Sequence, residues 1–282
     1  MNNATPPTPK PQLTPKERII ELRNASVYRS STQVFSGINL TLNTGENTVI
    51  LGANGAGKTT LLKLFTRELW PVVAPDSYLK IFGEERITIW ELRKKIGIVS
   101  HEYQNAHQTL ASGLEVVLSA FFGAVGIHQH HTVTDSMREQ ALQCMETLQL
   151  KSLADKRFIQ LSAGQQRRLL LARALVHKPK VLIFDEPTSG LDMRASFELI
   201  EQLRTLSQNG TTLILVTHHI QEIIPEISRV VALKSGRILF DDLKENVMKD
   251  ALISQVFDTP VSVIEKNDYY QVLPRPKNKH DT

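Results

Sequence analysis

The sequence has a single cysteine, few aromatic residues and no apolar run of membrane-spanning length. Cys144 stands alone, so the 282-residue chain forms no internal disulfide and builds no cysteine zinc site. The longest strongly apolar stretch, Leu114 to Ile127, is interrupted by Glu115 and Ser119. It falls short of the about 20 apolar residues that cross a bilayer. No charged-then-apolar segment opens the chain, and Met1 to Pro15 is polar and proline-rich, so the cytosol is the expected compartment. The charge counts reveal no basic face either. The net charge is +4, and most of it falls in residues 1–18 and 265–282, which argues for solubilised tails rather than a nucleic-acid surface. What is present is a globular composition: 41% hydrophobic and 22% charged residues, enough to bury a sizeable core.

Pro6, Pro7, Pro9, Pro11 and Pro15 mark residues 1–18 as a disordered lead-in. From Ile19 short β-type runs follow, IIELRNASVY, GINLTLNTG and NTVILG, and then a glycine-rich turn and the helical spacing of TTLLKLFTREL. Residues from about 101 to 177 read mostly as helices. Val181 to Phe184 and TTLILVTHH read as strands buried on both faces, and VVALKSG with RILFDD as a hairpin about Ser235-Gly236. The pattern gives an α/β domain over 19–245 with an all-helical insertion, and a less well patterned extension over 246–282 ending in a mobile basic tail. No internal repeat is present.

Gly52-Ala53-Asn54-Gly55-Ala56-Gly57-Lys58-Thr59 fits G-x-x-x-x-G-K-[ST] in full, directly after an apolar strand and before a helix that continues through Thr60. Glycines let backbone N–H groups approach phosphate oxygens, and the helix N-terminus behind them adds partial positive charge. Lys58 then supplies a full charge to the β- and γ-phosphates, and Thr59 a hydroxyl for Mg²⁺. Asp185 and Glu186 end the apolar run Val181–Phe184. Neighbouring strand residues point in opposite directions, which separates their tasks: Asp185 for Mg²⁺, Glu186 to orient or deprotonate an attacking water. Thr217-His218-His219 closes another buried strand, where one histidine can donate to a γ-phosphate oxygen; spacing alone does not choose between the two.

Leu161-Ser162-Ala163-Gly164-Gln165 opens a helix, with Ser162 as its N-cap. Together with the phosphate loop, the acidic strand and Ser189-Gly190-Leu191-Asp192, this order resembles an ABC-type ATPase cassette over roughly residues 19–245. The resemblance implies a P-loop NTPase core with an inserted helical subdomain and an N-terminal β subdomain, hydrolysing ATP with Mg²⁺. It implies that Ser162, Ala163, Gly164 and Gln165 complete the site of a second cassette facing head to tail, that Asp192 helps arrange that opposed site, that His218 is the switch histidine, and that Tyr28 stacks on adenine. One cradle and one signature imply a homodimer.

The chain departs from the family where a glutamine normally ends a strand: here Ile98-Val99-Ser100 leads to His101, with Gln104 three residues later. A histidine is a poor Mg²⁺ ligand, so either coupling is altered at His101 or a shifted loop lets Gln104 serve. His128, His130 and His131 form a histidine-rich stretch in a loop, without a cysteine or carboxylate to complete a metal site. Leu114 to Ile127 reads as a buried helix or as an apolar groove for a partner, since the family grips membrane subunits nearby. The resemblance ranks a transporter's energy-coupling subunit first, paired with a separate membrane-spanning chain and seated on the cytoplasmic face of the membrane. The alternatives are a soluble cassette remodelling nucleic acid or a macromolecular complex, and a nucleotide-gated regulator.

Overall fold

The computed structural model describes residues 16–107 and 110–275; most of the proline-rich lead-in and the basic end from residue 276 lie outside the described residues. The chain opens with β1 (Arg18–Arg29), β2 (Thr32–Asn43), β3 (Thr48–Leu51), α1 (Lys58–Phe65), β4 (Tyr78–Ile81), α2 (Ile89–Lys95) and β5 (Ile96–Ser100). A helical stretch follows, α3 (His101–Ala106), α4 (Gly113–Leu118), α5 (Asp135–Thr147) and α6 (Ala163–Leu175). The second half comprises β6 (Val181–Asp185), α7 (Met193–Gln208), β7 (Thr212–Thr217), β8 (Arg229–Lys234), β9 (Arg237–Leu243), α8 (Lys244–Val247), α9 (Asp250–Phe257), β10 (Val261–Lys266) and β11 (Tyr269–Pro274).

The central sheet has the order β5-β6-β7-β3-β8-β9, parallel throughout except for β9, which returns antiparallel to β8. Its parallel strands are apolar at nearly every position because both faces are covered, and the pleat sorts neighbours into two cores. Leu182, Phe184, Leu213 and Leu215 join the core shared with the helical stretch, while Ile183, Ile214 and Ile50 join the core under β1, β2 and β4. Those three strands form a separate antiparallel sheet in the order β2-β1-β4.

The register brings three loops to one edge. Leu51 pairs with Thr217 and Asp185 with Val216, so β3, β6 and β7 end side by side. The crevice beyond the carboxyl ends of parallel strands is where α/β sheets bind ligands.

Leu114 to Ile127 is not one helix. A capping box between Ser112 and Glu115 starts α4, which tightens into a 3₁₀ turn over Ser119–Phe122 and stops at left-handed Gly123. Leu114 to Ala120 is the buried half, whereas Val125 lies at the surface. The weakly patterned extension also folds against the body: Ile253, Val261 and Tyr270 join the core of the helical stretch. Among the described residues no helix is long and apolar enough to cross a membrane.

Candidate functional site

The turn between β3 and α1 is built on close approaches that only glycine permits. Gly57 has φ 110°, and a Cβ there would come within 2.8 Å of the Phe35 ring. A Cβ on Gly52 would come within 2.5 Å of the Leu233 carbonyl oxygen. Lys58 is buried and folds back on the loop, donating from Nζ to the carbonyls of Gly52 (2.8 Å) and Ala53 (3.1 Å). Burial lowers its pKa, and the carboxylates of Glu186 and Asp185 oppose that shift. A ≈ 360 Å³ cavity opens in front of the loop, where Asn54, Gly55, Gly57, Lys58, Thr59 and Thr60 meet Asp185 and Glu186. Ala53 and Ala56 stay behind this surface as backbone: Ala56 N–H donates to Ala53, and its carbonyl accepts from Gly236.

Asp185 ends β6, and burial beside Glu186 pushes its carboxyl up to about 6 against the pull of Lys58. Thr59 and Asp185 supply hard oxygen donors facing one cavity, the donor chemistry that suits Mg²⁺, and a cation there would relieve the cost of ionising Asp185. Glu186 corrects one expectation. It is not the next residue of a pleat, so alternation does not set its direction. It turns left-handed at φ 48°, held by its N–H donating to Val216 O at 2.8 Å. That turn brings Glu186 Oε1 to 2.6 Å from His218 Nδ1. A carboxylate only accepts, so Nδ1 carries the proton. The geometry therefore pairs His218, not His219, with Glu186; the His219 ring lies tilted at 38° to that of His218, with ring centroids 3.8 Å apart.

Two further side chains hold this corner, and sequence reasoning missed both. Glu222 is fully buried five residues beyond Thr217. Its carboxylate accepts from Thr188 N–H at 2.9 Å, from the Thr188 hydroxyl at 2.5 Å and from the Thr217 hydroxyl, tying the loop after β6 to the loop after β7. A carboxylate set in the apolar run IQEII was the available signal. Arg167 on α6 is also fully buried, and donates from Nη1 to the carbonyls of Glu186 (3.1 Å) and Pro187 (2.9 Å).

The remaining predicted residues lie outside the cavity. Ser162 caps α6: its hydroxyl accepts from Gln165 N–H while Gln165 Oε1 accepts from Ser162 N–H at 3.1 Å. Ala163 is exposed beside it, and a Cβ on Gly164 would meet the Ala195 side chain of α7 at 2.7 Å. Asp192 caps that same α7, accepting from Ala195 N–H at 2.8 Å. Tyr28 is exposed at the tip of the β1–β2 hairpin, whose Arg29 and Val34 line the cavity. His101 is exposed and its Nδ1 meets Asn105 at 3.1 Å, while Gln104 is buried against α6; neither lines the phosphate-loop cavity. Phe122 stacks on His131, and among the described residues no group of three or more His, Cys, Asp or Glu is arranged to hold a metal ion.

Comparison with known proteins sets this geometry in context. The family model described as ABC transporter matches residues 35–189. The chain is 32% identical over 255 residues to YlmA of Bacillus subtilis, an uncharacterized ABC transporter ATP-binding protein, covering 89% of this chain and 95% of that one. Among solved structures it is similar to cbiO1 from Clostridium perfringens, part of the ABC transporter complex cbiONQ, with TM-score 0.68, 31% identity, and coverage of 85% and 94%. A dimeric bacterial ABC transporter cassette matches with TM-score 0.64 at 27% identity, over 80% of this chain and 98% of its own.

Proposed function

We propose, of a chain that belongs to the ABC transporter family and is an ATP-binding, ATP-hydrolysing cassette, that it is the energy-coupling subunit of a membrane transporter and works as a head-to-tail dimer of two copies. The loop Gly52–Thr59 wraps the phosphates with backbone N–H groups, and Lys58 exchanges its loop carbonyls for phosphate oxygens. Thr59 and Asp185 are the residues that would hold Mg²⁺, which supplies charge neutralisation at the phosphates when bound. Glu186 orients the attacking water and takes its proton; His218 fixes the carboxylate through its Nδ1–H. Tyr28 stacks on the adenine. Ser162 to Gln165 and Asp192 serve the nucleotide of the opposite copy.

The partner reading places a membrane-spanning chain against the cleft of ≈ 280 Å³ between α1 and α3, where Thr59 of the phosphate loop meets Arg93, Glu102, Tyr103 and Val125. A helix seated there touches the nucleotide site and the helical stretch at once. This seat on the cytoplasmic face needs no spanning segment in the chain itself.

The observation that carries the ATPase assignment to particular atoms is the contact of Glu186 with His218, 2.6 Å, at the rim of the phosphate-loop cavity. Glu186→Gln protein is expected to bind MgATP, lose turnover by about 100-fold or more, and accumulate as a closed dimer. Recovered with MgATP from gently solubilised cells, tagged Glu186→Gln should bring a multi-span membrane protein with it. Soluble proteins or nucleic acid in its place would overturn the transport assignment.

A further inference from the structure

The position at which this chain departs from its family has not simply lost a glutamine. Gln104 is 6% exposed and points into the body of the molecule. Its Oε1 accepts from Arg167 Nε at 2.8 Å, and its Nε2 donates to Gln166 Oε1 at 2.9 Å. Gln166 in turn donates to the Phe158 carbonyl at 2.9 Å, anchoring the amide from behind. The other end of Arg167 reaches the loop after β6, where Nη1 donates to the Glu186 and Pro187 carbonyls and Nη2 to that of Ser189 at 3.4 Å.

We propose that Gln104 and Arg167 form a buried relay by which the helical stretch sets the backbone of the Glu186 turn. The proposal rests on the reading of Glu186 as the water-activating carboxylate.

Three features carry it. The Glu186 carbonyl belongs to the peptide that fixes ψ at Glu186, and that residue already sits in a left-handed conformation unfavourable for a side chain. Arg167 grips this carbonyl and the next one, so a small movement of the guanidinium re-aims the carboxylate that meets His218. Arg167 is fully buried, and Gln104 is the side-chain amide that its Nε finds. A planar guanidinium held at both edges transmits displacement as a rigid body. Gln104 lies on α3, one wall of the cleft assigned to the membrane partner, and α3 starts where Ser100 pairs in register with Asp185. Movement of α3 therefore reaches the acidic corner through the strand end and through the side chains. Gln104 and Arg167 touch no substrate in this scheme. They are positioning residues.

The test is steady-state ATP hydrolysis by full-length protein carrying Gln104→Leu, Gln104→Asn and Glu186→Gln, singly and combined. Gln104→Leu removes the acceptor, and Gln104→Asn keeps the amide but shortens it by one methylene, which guards against a variant that fails to fold. Each is expected to lower kcat by about tenfold while KM for ATP stays within about twofold, because the phosphate loop is untouched. In the Glu186→Gln background the same changes should cost less than about twofold, since no carboxylate remains to be aimed. Equal losses in both backgrounds, or a kcat within twofold of the parent for a folded Gln104→Asn, would overturn the relay. Near-parental turnover by Glu186→Gln alone would instead overturn the assignment of Glu186 and leave the relay without a target.

Discussion

His107 shows how one ring can set an acid limit on the fold. It is fully buried, its Nδ1–H donates to the Tyr103 carbonyl at 2.7 Å, and its Nε2 meets no hydrogen-bond partner among the described residues. Burial first, and then the Arg173 guanidinium, hold its pKa down at about 4 from 6.5, against the Tyr103 bond. Above pH 6.5 the ring is neutral folded and unfolded, and pH changes nothing through it. Between 6.5 and about 4 the unfolded chain takes up a proton that the folded chain refuses, so stability falls as pH falls across that window. The loss through this one group approaches about 3 kcal/mol at pH 4. Urea unfolding at pH 7 and pH 5 should show a wild-type loss over that step that exceeds the loss in His107→Phe. Equal losses in the two proteins would remove His107 as the cause. The same residue scale explains why Lys58 was legible from sequence and Glu222 was not. Lys58 belongs to a contiguous motif whose spacing is its chemistry, whereas Glu222 acts through threonines on two different loops that only the folded register brings together.

At the scale of elements, α6 and α7 approach closely enough to leave no room for a methyl group. The Cβ built on Gly164 would stand 2.7 Å from the Ala195 side chain, just past the Asp192 cap of α7. Gly164→Ala is expected to destabilise the fold by about 1–3 kcal/mol through this overlap, although alanine is the better helix former. Ala195→Gly alone should cost about 1 kcal/mol of helix propensity. Combined, the two changes should cost at least about 1 kcal/mol less than their sum, because the clash is gone. Additive losses by denaturant titration would show that the helices separate freely there. The elements also mark where sequence pattern ends. The apolar runs of β3, β6 and β7 declared a doubly covered sheet, and the Ser162 cap declared the start of α6. The left-handed turn at Glu186 was hidden, because it is imposed by Val216 and Arg167 rather than by its own residue type. The hairpin β10–β11 was hidden for another reason: its strands are only half buried, so Tyr270 and Val261 were the few residues able to signal a core contact.

For the whole molecule, the two groups of residues proposed to share a nucleotide do not meet within one copy. The phosphate loop faces its cavity together with Asp185 and Glu186, whereas Ser162 and Ala163 are exposed at the start of α6 and are absent from that cavity's wall. A closed two-fold pairing lets each copy's α6 start cover the other's phosphate loop, giving two equivalent sites from one sequence. Complementation tests this directly. A Lys58→Ala chain lacks a working cradle, and a Ser162→Arg chain carries a bulky side chain at the surface that must meet the partner's nucleotide. Each homodimer is then dead at both sites. In a random mixture half the dimers are mixed, and in each of these the cradle of the Ser162→Arg copy faces the intact α6 start of the Lys58→Ala copy. One site in two is whole, so single-turnover hydrolysis should return to about a quarter of the parental amplitude. If each cradle were instead served by the α6 start of its own chain, mixing would restore nothing. Amplitude that rises with the mixing ratio and peaks at equal parts therefore identifies the head-to-tail pairing, without requiring the membrane partner or its substrate to be known.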